Sequence, residues 1–98
     1  MELYDIIEAA NSHLKEGTLI LHRSMKAHPM FKVYKIFCYN LYYVKDKEKT
    51  LLSSHEEVKN APADEMSKIW TECDKLYLKK FIKWLSNKEY KSLLKDEI

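Results

Sequence analysis

The sequence predicts a small single α+β domain: a three-stranded antiparallel sheet with an N-terminal helix and two C-terminal helices, in the order α-β-β-β-α-α. Three observations predict it. Residues 31–44 (FKVYKIFCYNLYYV) are dominated by apolar and aromatic side chains and hold no Gly, Pro or acid, a composition that packs well on a pleated surface. Apolar residues at helical period occupy 2–15 before it and 65–85 after it. Ninety-eight residues at 46% hydrophobic content, with two Trp, seven Tyr and three Phe, suit one globular core and one domain.

In the first helix, residues 2–15, Leu3, Ile6, Ile7, Ala10 and Leu14 share a face. Glu2, Asp5 and Glu8 sit where the helix dipole favours acids, and Gly17 is the stop. Thr18 to Met25 is the first strand, with Leu19 and Leu21 on one face and Ile20 on the other. Lys26 to Pro29 connects it to the central strand, since Pro29 removes a donor and holds His28 extended.

At strand pitch Phe31, Val33, Phe37, Tyr39, Leu41 and Tyr43 share the core face of residues 31–44, interrupted by Lys35. Lys32, Tyr34, Ile36, Cys38, Asn40, Tyr42 and Val44 form a mixed, half-exposed second face. Val33, Phe37, Leu41 and Val44 also fit a helical stripe, but β-branched and aromatic density favours the strand. Asn40 marks a bulge, because fourteen residues exceed most strands.

Asp46 to Lys49 is a charged turn, and Thr50–Ser54 the returning hairpin arm. Ser54-His-Glu-Glu57 matches a capping box, so a helical turn is expected from His55, broken at Asn60-Ala-Pro-Ala63. Asp64 is expected to cap the long helix 65–85. Its apolar side runs through Met66, Ile69, Trp70, Cys73, Leu76, Tyr77, Phe81, Trp84 and Leu85. Leu78 and Ile82 lie off that stripe and leave apolar girth to spare. Ser86-Asn-Lys-Glu89 repeats the capping pattern before a last helix, 87–96, with Tyr90, Leu93 and Leu94 inward.

Two cysteines without CxxC spacing make no disulfide framework. With no signal-peptide pattern, both read as reduced thiols and the compartment as cytoplasmic. No apolar run approaches the ~20 residues of a membrane span. The net charge of +2 is unevenly spread: residues 1–17 and 51–74 are acidic, 18–50 and 75–98 basic. Sixteen of the seventeen bases are Lys, with Arg23 alone as Arg, which speaks against base-specific readout led by bidentate Arg.

Catalytic chemistry finds little footing. A Cys–His nucleophile needs the thiolate beside an oriented imidazole, yet Cys38 lies mid-strand and Cys73 on an apolar stripe, where thiols act as small hydrophobes. His55-Glu56-Glu57 lacks metal-ligand spacing, and no third ligand is nominated for His22 and His28. One Gly excludes phosphate-cradling loops of the Walker or dinucleotide type. Glu56, Glu57, Asp64 and Glu65 are explained by helix starts. No enzyme, cofactor, metal or small-molecule substrate is expected.

Two binding classes remain. A protein-interaction module, acting on a protein partner or as a homodimer, uses the surplus apolar surface at Tyr34, Tyr42, Leu78 and Ile82. A sequence-tolerant nucleic-acid binder instead stacks bases on Tyr34 and Tyr42 beside Lys32. Its Lys75, Lys79 and Lys83 recur at i, i+4, i+8 on the long helix, and Lys88, Lys91 and Lys95 form a second stripe on the last one. Such stripes are also the solvated faces that amphipathic helices must have, and the RNA-binding sheet motif (K/R-G-F/Y-G/A-F) is missing. The protein-interaction reading is preferred. Lys in place of Arg and a compact chain suit a phage or mobile-element accessory protein that inhibits or modulates a host protein.

Overall fold

In the computed structural model, which describes residues 2–95, the order of elements is that expected from the sequence. Helix α1 (Leu3–Ser12) leads to strands β1 (Thr18–Ala27), β2 (Tyr34–Lys45) and β3 (Glu48–Asn60). Helix α2 (Met66–Trp84) and a single turn, α3 (Lys88–Lys91), follow the strands. The strands form one antiparallel sheet in the order β1-β2-β3. Among the described residues, no helix is long and apolar enough to cross a membrane.

All the helices pack on one face of the sheet. Strand alternation decides which residues meet them: Leu19, Leu21, Phe37, Tyr39 and Leu41 are buried, and Ile20 between two of them is 45% exposed. From the helices come Leu3, Ile7 and Ala10 of α1, and Ile69, Cys73, Tyr77 and Phe81 of α2. The aromatic rings interlock. Phe37 stands edge-on to Trp70 at 4.7 Å, and Tyr39 stacks on Tyr77 at 4.7 Å with only 8° between planes. Tyr90 ties the C-terminal turn to α1, its hydroxyl donating to the Ala10 carbonyl at 3.0 Å, and just past the two helices Leu14 and Leu94 form an antiparallel bridge.

Gly17 makes the first reversal possible. Its φ of +75° is left-handed, and a Cβ there would stand 2.6 Å from the Tyr43 ring. The β2–β3 turn puts Asp46 and Lys47 at φ 51° and 68°, the sense a tight hairpin needs to match strand twist.

Several boundaries differ from expectation. α1 ends at Ser12, and β1 runs on to Ala27. β2 begins at Tyr34, because Phe31 to Tyr34 closes a turn through a Tyr34 N–H to Phe31 C=O bond of 3.1 Å. Phe31 and Val33, expected in the core, are therefore 55% and 59% exposed. The helical turn expected at His55 is strand: His55, Glu57 and Lys59 pair with Tyr39, Phe37 and Lys35, so long-range pairing overrides the local capping pattern. The bulge lies opposite Leu41/Tyr42, where Leu52 is the extra residue of β3, and not at Asn40. Asp64 does not cap α2; it belongs to a 3-10 turn, Ala63–Glu65, that feeds the helix. α3 spans one turn instead of 87–96, of which 96 lies outside the described residues, and Asn87 caps it rather than Ser86.

Phe37 and Phe31 share a parity in sequence but not an environment. Phe37→Ala is expected to lower unfolding free energy by about 3–5 kcal/mol, and Phe31→Ala by less than about 0.5 kcal/mol. Urea denaturation of both variants checks the contrast; equal losses contradict it.

Candidate interaction surface

The sealed side of the sheet is held by one polar clamp. Tyr39, fully buried at the middle of β2, donates its hydroxyl to Asp74 Oδ1 on α2 at 2.6 Å. The other oxygen, Asp74 Oδ2, accepts from Arg23 Nη1 on β1, also at 2.6 Å. The Arg23 guanidinium lies 5.1 Å from the centres of both the Tyr4 and Trp70 rings. Burial alone would lower the Arg23 pKa, but the hydrogen bond and charge of Asp74 raise it. Burial, then the Asp74 hydrogen bond and charge, lift the Tyr39 phenol far above its ordinary value. The chain's single Arg is thus committed to tying β1 to α2. A cleft of about 250 Å³ opens beside it, lined by Tyr4, Arg23, Asp74 and Leu78 among others.

Among the described residues, the opposite side of the sheet carries no helix. The register lays its residues out in cross-strand rows: Ile20–Tyr42–Leu51, His22–Asn40–Ser54, Ser24–Cys38–Glu56 and Lys26–Ile36–Val58, with Tyr34 beside Asn60 at the end. The two ends are apolar, with Ile20 45%, Leu51 52%, Val58 50% and Tyr34 37% exposed. The middle is polar, and there Ser54 Oγ donates to Asn40 Oδ1 at 2.7 Å.

Beyond Tyr34 the β1–β2 connection forms an apolar tip. Met30 is 79% exposed, next to the exposed Phe31 and Val33. His28 holds this tip in shape: its Nδ1 accepts the backbone N–H groups of Met30 at 3.1 Å and Phe31 at 3.2 Å. The Phe31 ring packs 5.3 Å from His28 and edge-on to Tyr34 at 6.0 Å. His28 is a turn former here.

The residues singled out from sequence divide between the two sides. Tyr34 and Tyr42 lie on the open face, and Lys32 at the exposed tip. Leu78 and Ile82 lie on α2, across the molecule; Leu78 packs partly against the core and Ile82 is 50% exposed. Lys75, Lys79, Lys83, Lys88 and Lys91 are exposed on the helical side. The structure therefore does not gather tyrosines and lysine stripes into one site. Tyr42 is also already covered on one ring face by Lys49 Nζ, 4.1 Å from its centre. Ile20, Leu51, Val58 and Met30, absent from the sequence-based set, belong to the same surface as Tyr34. Alternation with Leu19 and Leu21 signals Ile20, whereas the capping pattern at Ser54–Glu57 masks Val58.

Among the described residues, no three His, Cys, Asp or Glu side chains converge as a metal site would require. Cys73 is buried, and burial raises its thiol pKa, which disfavours thiolate chemistry.

Asp74→Ala leaves the Tyr39 hydroxyl without an acceptor and should lower stability by about 1–3 kcal/mol; Tyr39→Phe, which leaves Asp74 bonded to Arg23, should lower it by about 0.5–1.5 kcal/mol. Tyr39, Tyr77 and Tyr90 all ionise above the ordinary phenol value, chiefly through burial. Stability from these neutral phenols is whole below the unfolded value of about 10 and is lost as pH rises above it. Ultraviolet titration should show them ionising only together with alkaline unfolding; smooth titration in the folded state contradicts this. Compared with protein-family models, curated proteins and solved structures, the chain matches none.

Proposed function

We propose that the chain is a non-enzymatic protein-interaction module, an inhibitor or adaptor that binds another protein through the open sheet face and the β1–β2 tip. One observation carries this reading. Of the ten large apolar side chains exposed among the described residues, seven (Ile20, Met30, Phe31, Val33, Tyr34, Leu51 and Val58) lie on that face or tip. Scattered exposed apolar residues are ordinary, but their concentration on the open face and its adjoining tip is the mark of a recognition surface. The partner best suited is a protein with apolar side chains at two points and hydrogen-bonding groups between them, to meet the polar row of His22, Asn40 and Ser54. A phage or mobile-element accessory protein acting on a host factor is one setting that such a module fits.

The nucleic-acid reading has less support. Its tyrosines and most of its lysines face opposite directions, Lys49 covers one face of Tyr42, and Arg23 is engaged by Asp74. The α2 and α3 lysines behave as the solvated side of amphipathic helices.

The test pairs Leu51→Glu/Val58→Glu on the open face with Ile82→Glu on α2. Affinity capture from source extracts should recover a specific protein with the wild type and the α2 variant, and lose it with the open-face variant. Titration of labelled oligonucleotides at about 50 and 200 mM salt should show no tight, salt-sensitive binding. Such binding, abolished by charge reversal at Lys79 and Lys83, would replace the protein-partner reading with the nucleic-acid one.

A further inference from the structure

In an antiparallel ladder each residue sends both its N–H and C=O to one neighbouring strand or the other, in alternation. Two bonds fix the phase here. His28 N–H donates to the Tyr34 carbonyl at 3.1 Å, and Ala61 N–H to the Val33 carbonyl at 3.0 Å, each continuing its strand register. Even-numbered residues of β1 therefore bond to β2, and the odd ones, from Leu19 to Ala27, turn their backbone groups outward.

Leu19 is closed off. The Asn11 side chain accepts its N–H at 2.6 Å and donates to its C=O at 3.0 Å, one amide standing in for a fourth strand. The outward groups of Leu21, Arg23, Met25 and Ala27 have no partner among the described residues. The β3 edge is different. Its outward groups at Ser54, Glu56 and Val58 lie in a charged stretch with Glu57 and Lys59, beyond the Leu52 bulge. Charges and bulges of this kind discourage pairing, and a self-pairing centred there sets Glu56 against Glu56.

We propose that the open β1 edge pairs with β1 of a second copy, antiparallel about a two-fold axis at Ser24, making one continuous six-stranded sheet. The span sets the register. Asn11 closes the edge before Leu21 and the strand ends at Ala27, so the free groups are centred on Ser24. Leu21 then faces Ala27 of the second copy and Arg23 faces its Met25, with on the order of eight backbone hydrogen bonds exchanged. No like charges are forced together. Arg23 is neutralised by Asp74, and Lys26, 3.7 Å from Glu56, faces His22 of the second copy rather than another lysine. The contact is isologous and closes on itself. It uses the edge and leaves the open face uncovered, so it stands apart from the reading of that face.

In this register Ser24 and its symmetry mate form a non-hydrogen-bonded pair with Cα atoms about 4.5 Å apart, within disulfide reach. Analytical ultracentrifugation of the wild type across a concentration series should show a monomer–dimer equilibrium. In a Cys38→Ser background, oxidised Ser24→Cys should run as a covalent dimer on a non-reducing gel, and Ser54→Cys on the other edge should stay monomeric. Met25→Pro removes an outward N–H and no internal bond, so circular dichroism should be unchanged while dimerisation weakens by at least about tenfold. A wild type monomeric at every concentration overturns the proposal. So does a dimer that cross-links through Ser54→Cys in preference to Ser24→Cys, or one indifferent to a folded Met25→Pro. If Met25→Pro unfolds, the two cysteine variants decide alone. Leu51→Glu should leave the dimer intact, which separates this result from the fate of the partner-binding surface.

Discussion

The Tyr39–Asp74–Arg23 clamp is the constraint on which the sidedness of this molecule depends. Tyr39 is fully buried and still carries a hydroxyl that must be bonded. Asp74 provides the acceptor at 2.6 Å and takes Arg23 with its second oxygen, so one carboxylate joins the middle strand, an edge strand and the long helix. Because Asp74 faces the sheet, the next turn of α2 sets Tyr77 against the Tyr39 ring at 4.7 Å, and the following one brings Phe81 into the core. With α2 placed, α1 and α3 fill the remaining length of the same face, and no described helix covers the other.

Much of the fold was legible because period-2 and period-3.6 patterns are direct consequences of burial. Leu19 and Leu21 against Ile20, and Phe37, Tyr39 and Leu41 within the central strand, reveal their sides without any knowledge of partners. The errors lie where local and long-range preferences compete. Ser54 to Glu57 satisfies a helix-start pattern on its own, but the middle strand offers a full ladder of backbone bonds, and the ladder prevails. Phe31 and Val33 continue the alternation on paper, yet His28 and Pro29 bend the chain before the strand begins.

The candidate surface was less legible. Alternation points to Tyr34 and Tyr42, whereas Leu78 and Ile82 stand out only by apolar girth on a helix whose orientation no sequence pattern specifies. The roles of Asn11, as a cap on a strand edge, and of Arg23, as an internal tie, rest on contacts between residues far apart in the chain: Arg23 and Asp74 are 51 positions apart. No local spacing encodes such a contact.

One face of the sheet is sealed by helices and the other is open, the division on which the proposed partner surface rests, and carbene footprinting of the protein alone tests it most directly. Heavy labelling of Met30, Phe31, Leu51 and Val58, with Phe37, Tyr39 and Phe81 unlabelled, is the expected pattern. Protection of Leu51 and Val58 at a level matching Phe37 would mean that the open face is covered, and would contradict the assignment of that surface to a partner.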